Sequence, residues 1–429
     1  MNPGILRTIA AVLVALAAAQ NARGQVSFQS FVVVGDSLAA GFSSGSLVET
    51  HQRSSVPALV ARQAGAPSFE QPRVTEPGLP TELRLVTLFP VPVIAPKATT
   101  TGSPANLALP RPYNNLAVPG ATSVDALTRV TDAGGFHDLI LRGLGTQVQQ
   151  AAALHPSFVL LWIGNNDVLG AAVRGRAIDG VTLTPTATFR VVYGQIVGAL
   201  RATGPKIVAA TLPDVTTIPF VTTLRPVVVN PTTGQPVTVN GQTVALIGPQ
   251  GPITSDTLVT LSASSLLAQG VGIPTGLGGQ GTPLPDQVLL DPSEQSIIRE
   301  HVTTNNQSIR DICSAAAIPV VDVNTLLQDV ATQGRTVGGL HFTSAFLTGG
   351  IFSYDGVHPT ELGYAIVANE WIDAINASGG AVPLVNLEPF VFGTQARGVR
   401  AASSRYTPFE FTQNAWDALL TVFPPVGGR

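Results

Sequence analysis

Four short apolar runs divide the chain: "FVVVGDS" from Phe31, "SFVLLWIGNND" from Ser157, "KIVAATLPD" from Lys206 and "IPVVDV" from Ile318. None alternates apolar with polar, so each predicts a strand buried on both faces, as parallel strands are. Three of the runs break off into small or polar residues, where loops are expected. Between the runs the apolar positions recur at helical spacing. "SVDALTRV" predicts a helix capped by Ser123, and "TATFRVVYGQIVGALRATG" predicts one stopped by Gly204. "DPSEQSIIREHVTTNNQSIRDICSAAA" starts on an Asp291 cap, with Pro292 just inside and Glu294 three residues on, the pattern of a capping box. "PTELGYAIVANEWIDAINASGG" predicts a last long helix from Pro359 to the glycines after Ser378. Strands alternating with helices predict an α/β layer fold with a mainly parallel sheet, whose ligands bind beyond the carboxyl ends of the strands.

Two stretches leave this rhythm. Residues 66–112 are rich in proline, and residues 219–290 in Val, Thr, Gly and Pro, with "NPTTG" and "NG" as hairpin signals. Both read as insertions on one core. Within the first, "LVTLFPVPVIA" suits either an apolar wall for an acyl chain or a strand that fills space. Residues 379–429 do not continue the core pattern and read as an extension that packs on the body.

Composition narrows the class. The chain has 429 residues, is 45% hydrophobic and only 11% charged, and carries a net charge of −3. Without basic blocks, nothing points to nucleic acid. At the N-terminus, Arg7 precedes the apolar "TIAAVLVALAAA", and Ala22 and Gly24 offer small residues before Gln25. This predicts a signal peptide over residues 1–24 and a secreted or periplasmic protein. The apolar run is shorter than the roughly 20 residues that span a bilayer. Cys313, the single cysteine, reads as a buried thiol on a helix packed against a strand.

The candidate chemistry begins where the first strand ends, at Gly35-Asp36-Ser37. Near the other end, "SYDGVHPT" sets Asp355 and His358 three residues apart before a helix. A hydrolytic serine needs an imidazole to take its proton and a carboxylate to orient that imidazole. Alone, Asp-x-x-His is common and reads rather as a loop salt bridge or a helix N-cap. Two further stretches add donors: "YNNLAVPGATS" with Asn115 and Gly120, and "LLWIGNNDVLG" with Gly164, Asn166 and Asp167. The Gly120 backbone, the Asn166 amide and the Ser37 N–H can together hold an oxyanion.

This ordered set, Gly35-Asp36-Ser37-Leu38, Asn115 to Gly120, Gly164-x-Asn166-Asp167 and Asp355-x-x-His358, resembles the SGNH (GDSL) hydrolase superfamily. All four blocks occur in order over residues 31–376. "ATLPDVTTIPF" followed by a long excursion is similar to the secreted bacterial branch. The resemblance implies a three-layer α/β/α flavodoxin-like fold over residues 25–378 and a serine esterase or lipase that needs no metal or cofactor. It implies Ser37 as nucleophile and oxyanion donor, Gly120 and Asn166 as further donors, His358 as base and Asp355 as its orienter. Asp36 and Asp167 read as hydrogen-bonders within their own turns, and Asn115 as a brace for the Gly120 loop. Expected partners are small-molecule, lipid or glycan esters. Removal of acetyl groups from polysaccharide, or a non-catalytic envelope scaffold, would suit the same fold.

Competing motifs lack their context. "GFSSG" matches a nucleophile elbow at Ser43, but the preceding strand has ended by Val34. "GLGGQG" at 276–281 is flanked by neither a strand nor a helix. His51, His137, His155, His301 and His341 show no metal-ligand spacing. Of these, His341 lies near enough in sequence to Asp355 to line a pocket, though a packed or solvent-facing ring suits it better.

Overall fold

The computed structural model describes residues 26–87, 92–392 and 409–423. The expected signal peptide lies outside the described residues. All four apolar runs form strands: β1 (Phe31–Gly35), β2 (Phe158–Trp162), β3 (Lys206–Ala210) and β4 (Val320–Val321). They lie side by side in that order, all parallel. On the other side of β1, Val33 N–H donates to Asn114 O and Val33 O accepts from Leu116 N–H. The segment at Asn115 thus adds a one-bridge edge strand. Counting it second in chain order gives 2-1-3-4-5, the flavodoxin order. Every residue of β1 and β2 is buried. Each fully buried Val, Leu or Phe contributes about 1.5–3 kcal/mol, which is why unbroken apolar runs occupy the centre.

Helices cover both faces. On one side α2 (Ser123–Thr128), α3 (Gln147–Ala153), α5 (Thr186–Arg201) and α6 (Pro292–Ala315) pack together. On the other, α1 (Val56–Gln63) packs on α7 (Glu361–Ala377), and Trp162 of β2 meets Trp371 of α7. A further helix, α4 (Asn166–Arg174), follows β2 and packs on α6. The Asp291 capping box forms as read, with Pro292 in the first turn. One local expectation changes. Thr122, not Ser123, caps α2, because Ser123 is drawn into a different bond described below. Cys313 is a buried thiol on α6, as read, and the Tyr193 hydroxyl of the neighbouring helix α5 lies beside it.

The first irregular stretch forms two antiparallel strands, Leu83–Thr87 and Val93–Pro96. Within this hairpin Leu83 and Ile94 are buried and Val86 is exposed, and residues 88–91 in the middle of the apolar run lie outside the described residues. His51 fastens the hairpin to the core. Its ring nitrogens face Glu82 of the hairpin, at 2.8 Å, and Glu361 of α7, at 3.3 Å. Burial pulls the His51 pKa down, but these two carboxylates outweigh it and raise the net value to about 9. Lys97 bridges Glu76 and Glu82 beside it.

In the second stretch the "NG" signal is a hairpin between Thr238–Val239 and Gln242–Thr243. Asn240 and Gly241 both have positive φ, as a two-residue turn requires. This excursion also reaches the Asp355 loop, where Phe220 N–H donates to Gly356 O at 2.9 Å.

Of the extension, Glu410–Phe411 pairs in parallel with Val93–Ile94, and α8 (Gln413–Val422) follows.

Candidate active site

β1 ends at Gly35 because the chain must turn in a space with no room for a side chain. A Cβ there would stand 2.7 Å from both Ala39 Cβ and Trp162 O. Asp36 then caps a short helix, Ser37–Ala40, by accepting from Leu38 N–H. As the first residue of that turn, Ser37 has no intrahelical acceptor for its own N–H. Its hydroxyl meets His358 Nε2 at 2.9 Å, and His358 Nδ1 meets Asp355 Oδ2 at 2.8 Å. With the carboxylate accepting from Nδ1–H, Nε2 is left to accept the serine proton. Three residues from opposite ends of the chain thus form one buried hydrogen-bonded line.

Asp355 is an acceptor surrounded by donors. Besides Nδ1, it accepts from Gly45 N–H at 2.7 Å, Val357 N–H at 2.9 Å, His358 N–H at 2.8 Å and the Ser353 hydroxyl at 3.2 Å. Burial pushes this carboxyl up, but the imidazole and the two backbone N–H groups of its own loop hold it below the ordinary carboxylate range. Sequence reasoning missed the Gly45 contribution. Ser43 to Ser46 form a tight turn, with Ser44 and Gly45 at φ 51° and 69°, and the turn aims Gly45 N–H at the carboxylate. So "GFSSG" is no nucleophile elbow. The Ser43 hydroxyl donates to Pro359 O instead.

The other two blocks converge on the same corner through buried acids. Asp167 accepts from both the N–H and the hydroxyl of Ser123, at 2.8 and 2.7 Å. That ties the start of α4, which is Asn166, to the start of α2, two residues after Ala121. The Asn166 amide donates to Ala121 O at 2.9 Å, using one of its two hydrogens and holding it next to Gly120. Gly120 has φ +81°, a conformation that glycine adopts freely. Asp36 accepts from the backbone and side chain of Asn165. Asp36 thus serves its own turn, as expected, and also ties it to the Asn165 block, while Asp167 ties its block to that of Ser123. Asn115 donates to Ala39 O and accepts from Ala117 N–H, so it braces the Ser37 helix as well as the loop toward Gly120. His341 is exposed on the small hairpin Arg335–Val337/Leu340–Phe342.

Burial dominates the titration of the two cross-linking acids, pushing Asp36 up to about 7 and Asp167 up to about 6. An unfolded Asp titrates near ~4, so between about pH 4 and 7 the folded chain holds more protons than the unfolded one. These groups therefore stabilise the fold most at the acid end, and stability falls as pH rises through that window. Asp355 has the opposite sign: its contribution is full above the ordinary range and is lost only as pH falls below it. Unfolding free energies from urea titrations between pH 5 and 6.5 should decline for the wild type, and Asp36→Asn should flatten that slope by up to about 1.4 kcal/mol per pH unit, one proton's worth. Parallel slopes in the two proteins would contradict a protonated Asp36.

Residues 31–371 match the family model of the GDSL-like lipase/acylhydrolases, and the chain belongs to that family. Among solved structures it is similar to a lipase/acylhydrolase from Enterococcus faecalis, at 15% identity and a TM-score of 0.35, over 83% of this chain and 97% of that one. A structure titled TesA gives 11% identity and a TM-score of 0.32 over 82% and 99%. The acetyl xylan esterase AlAXEase gives 14% and 0.27 over 61% and 79%. No curated protein matches the chain. No described helix is long and apolar enough to cross a membrane.

Proposed function

We propose that the protein is an exported serine hydrolase that cleaves carboxylic esters through an acyl-enzyme on Ser37. The observation that carries this reading is the continuous line from Ser37 Oγ to His358 to Asp355, at 2.9 and 2.8 Å. In the proposed cycle His358 Nε2 takes the hydroxyl proton as Oγ attacks the ester carbonyl. The negative oxygen is held by the Ser37 and Gly120 N–H groups and the second hydrogen of the Asn166 amide. His358 then passes the proton to the leaving alcohol. Next it takes one from water, which attacks the acyl-serine and frees the acid, and the proton returns to Oγ. Asp355 offsets the imidazolium charge that forms twice in this cycle.

Export rests on the N-terminal pattern closed by Ala22 and Gly24. One experiment tests both parts. The protein is recovered from outside the inner membrane of an exporting bacterial host, treated with a fluorophosphonate probe and mapped by mass spectrometry. The expected result is a mature chain that begins at Gln25 and carries a single adduct on Ser37. An unlabelled Ser37, or an adduct at another serine, would overturn the assignment of the nucleophile.

A further inference from the structure

The catalytic line is closed off from solvent. Ser37 is 1% exposed and His358 0%. An ester carbonyl cannot approach a hydroxyl in that state, so something covering it must move.

Two rings pack against the imidazole. Phe42 lies at 4.9 Å from it, Phe423 stacks on it at 5.6 Å and 18°, and the two phenyl rings meet each other edge-on at 6.4 Å. These rings differ in how they are held. Phe42 follows directly on the Ser37 helix, its N–H donates to Ser37 O, and its carbonyl accepts from the Tyr364 hydroxyl of α7. It belongs to the core. Phe423 belongs to the extension, just past the end of α8.

The backbone pairing of that extension with the core is short, whereas its inner side chains are well packed: Phe409 meets Phe346 at 5.2 Å, and Phe411, Ala415 and Leu419 are fully buried. Glu410 and Phe411 pair with Val93 and Ile94, Phe411 exchanges two bonds with the Ser264 hydroxyl, and Trp416 stacks on Phe220. At its far end the Phe423 carbonyl accepts from the guanidinium of Arg174, in the last turn of α4. The underside of α8 is apolar and buried, through Ala415, Leu419 and Val422, whereas Gln413, Asn414, Asp417 and Thr421 face solvent. This is a nearly three-turn amphipathic cover whose backbone is joined to the core through one two-residue strand, so it can come away, strand included, without the central sheet opening.

We propose that residues 409–423 form a lid over Ser37 and His358, latched by Phe423 against the imidazole and by Arg174 on the Phe423 carbonyl, and that the lid must lift before an ester enters. The proposal rests on the ester-hydrolase reading, since it concerns access to that site.

Three variants test it with p-nitrophenyl acetate and the fluorophosphonate probe. Phe423→Ala removes the ring and Arg174→Gln removes the outer latch without touching the packing under α8. Val93→Cys with Glu410→Cys places a thiol on each of two strand partners, so that oxidation locks the lid down. The first two should raise kcat/KM and the rate of Ser37 labelling at least threefold. The oxidised pair should lower both at least threefold, and dithiothreitol should restore them. Wild-type hydrolysis with no gain in either single variant, or with a lock that changes nothing, overturns the lid alone. Absence of hydrolysis and of labelling in wild type and in both single variants overturns the lid and the underlying reading together.

Discussion

Replacing Ser37 by alanine should lower kcat for a short-chain chromogenic ester by about 10⁴-fold or more, with little change in fold. In serine hydrolases, loss of the nucleophile costs as much as about 10⁶, and the residual rate comes from the oxyanion donors and binding. Here the hydroxyl is the first link in the chain to His358, and no second nucleophile can take its place. Ser43 is turned away, donating to Pro359 O. The fold should tolerate the change, because the removed atom has one partner, His358 Nε2. Leaving one such group unpaired costs about 1–3 kcal/mol. A circular dichroism spectrum like wild type, with activity reduced to the background of boiled enzyme, is the expected pair of results. Undiminished turnover in Ser37→Ala would mean that the reaction happens elsewhere.

Asp355→Asn should cost about 10⁴-fold in kcat, the scale of a triad whose carboxylate becomes an amide. The physical reason lies in the donor set. Gly45 N–H, Val357 N–H, His358 N–H, the Ser353 hydroxyl and His358 Nδ1–H all point at the carboxylate. An amide presents two hydrogens to this ring of donors. The least costly relief is for the imidazole to shift its proton to Nε2 and accept at Nδ1. The ring then cannot take the serine proton, although its position is unchanged. A carboxylate with a merely structural role predicts a different signature, lowered stability with near-normal kcat in the folded fraction. The kcat of the purified folded variant, set beside its urea midpoint, separates the two. Ser353→Ala removes one weak donor to the carboxylate and the acceptor of Ser44 N–H, but leaves the imidazole tautomer alone, so it is the control expected to lose stability while keeping near-normal kcat.

Much of this was legible in the chain itself. The four apolar runs could only be strands buried on both faces, and their alternation with helical segments set the layered architecture. The Asp291 box and the "NG" hairpin are local events, decided within four residues by backbone donors and by φ. For the same reason Ser37, Asp355 and His358 stood out in sequence, each next to a strand end or a helix start.

Other features belong to the tertiary structure, because they are contacts between segments far apart in the chain. Asp167 takes Ser123 away from its expected cap and ties two blocks together over 44 residues. The Gly45 turn, 310 residues from Asp355, supplies one of its shortest bonds. Nothing in "FEFTQNAWDALLTVF" announces a cover for an imidazole. Its amphipathic pattern says that one face is buried but not against what, and only packing could decide that the face ends on His358. The residues by themselves determined the sheet and its helices, since strand and helix formation follow from neighbours along the chain, and the order of the four blocks marked the groups proposed to react. The burial of those groups, the donors that hold Asp355 ionised and the ring that closes over the site came from the fold, since each is a meeting that no local pattern encodes.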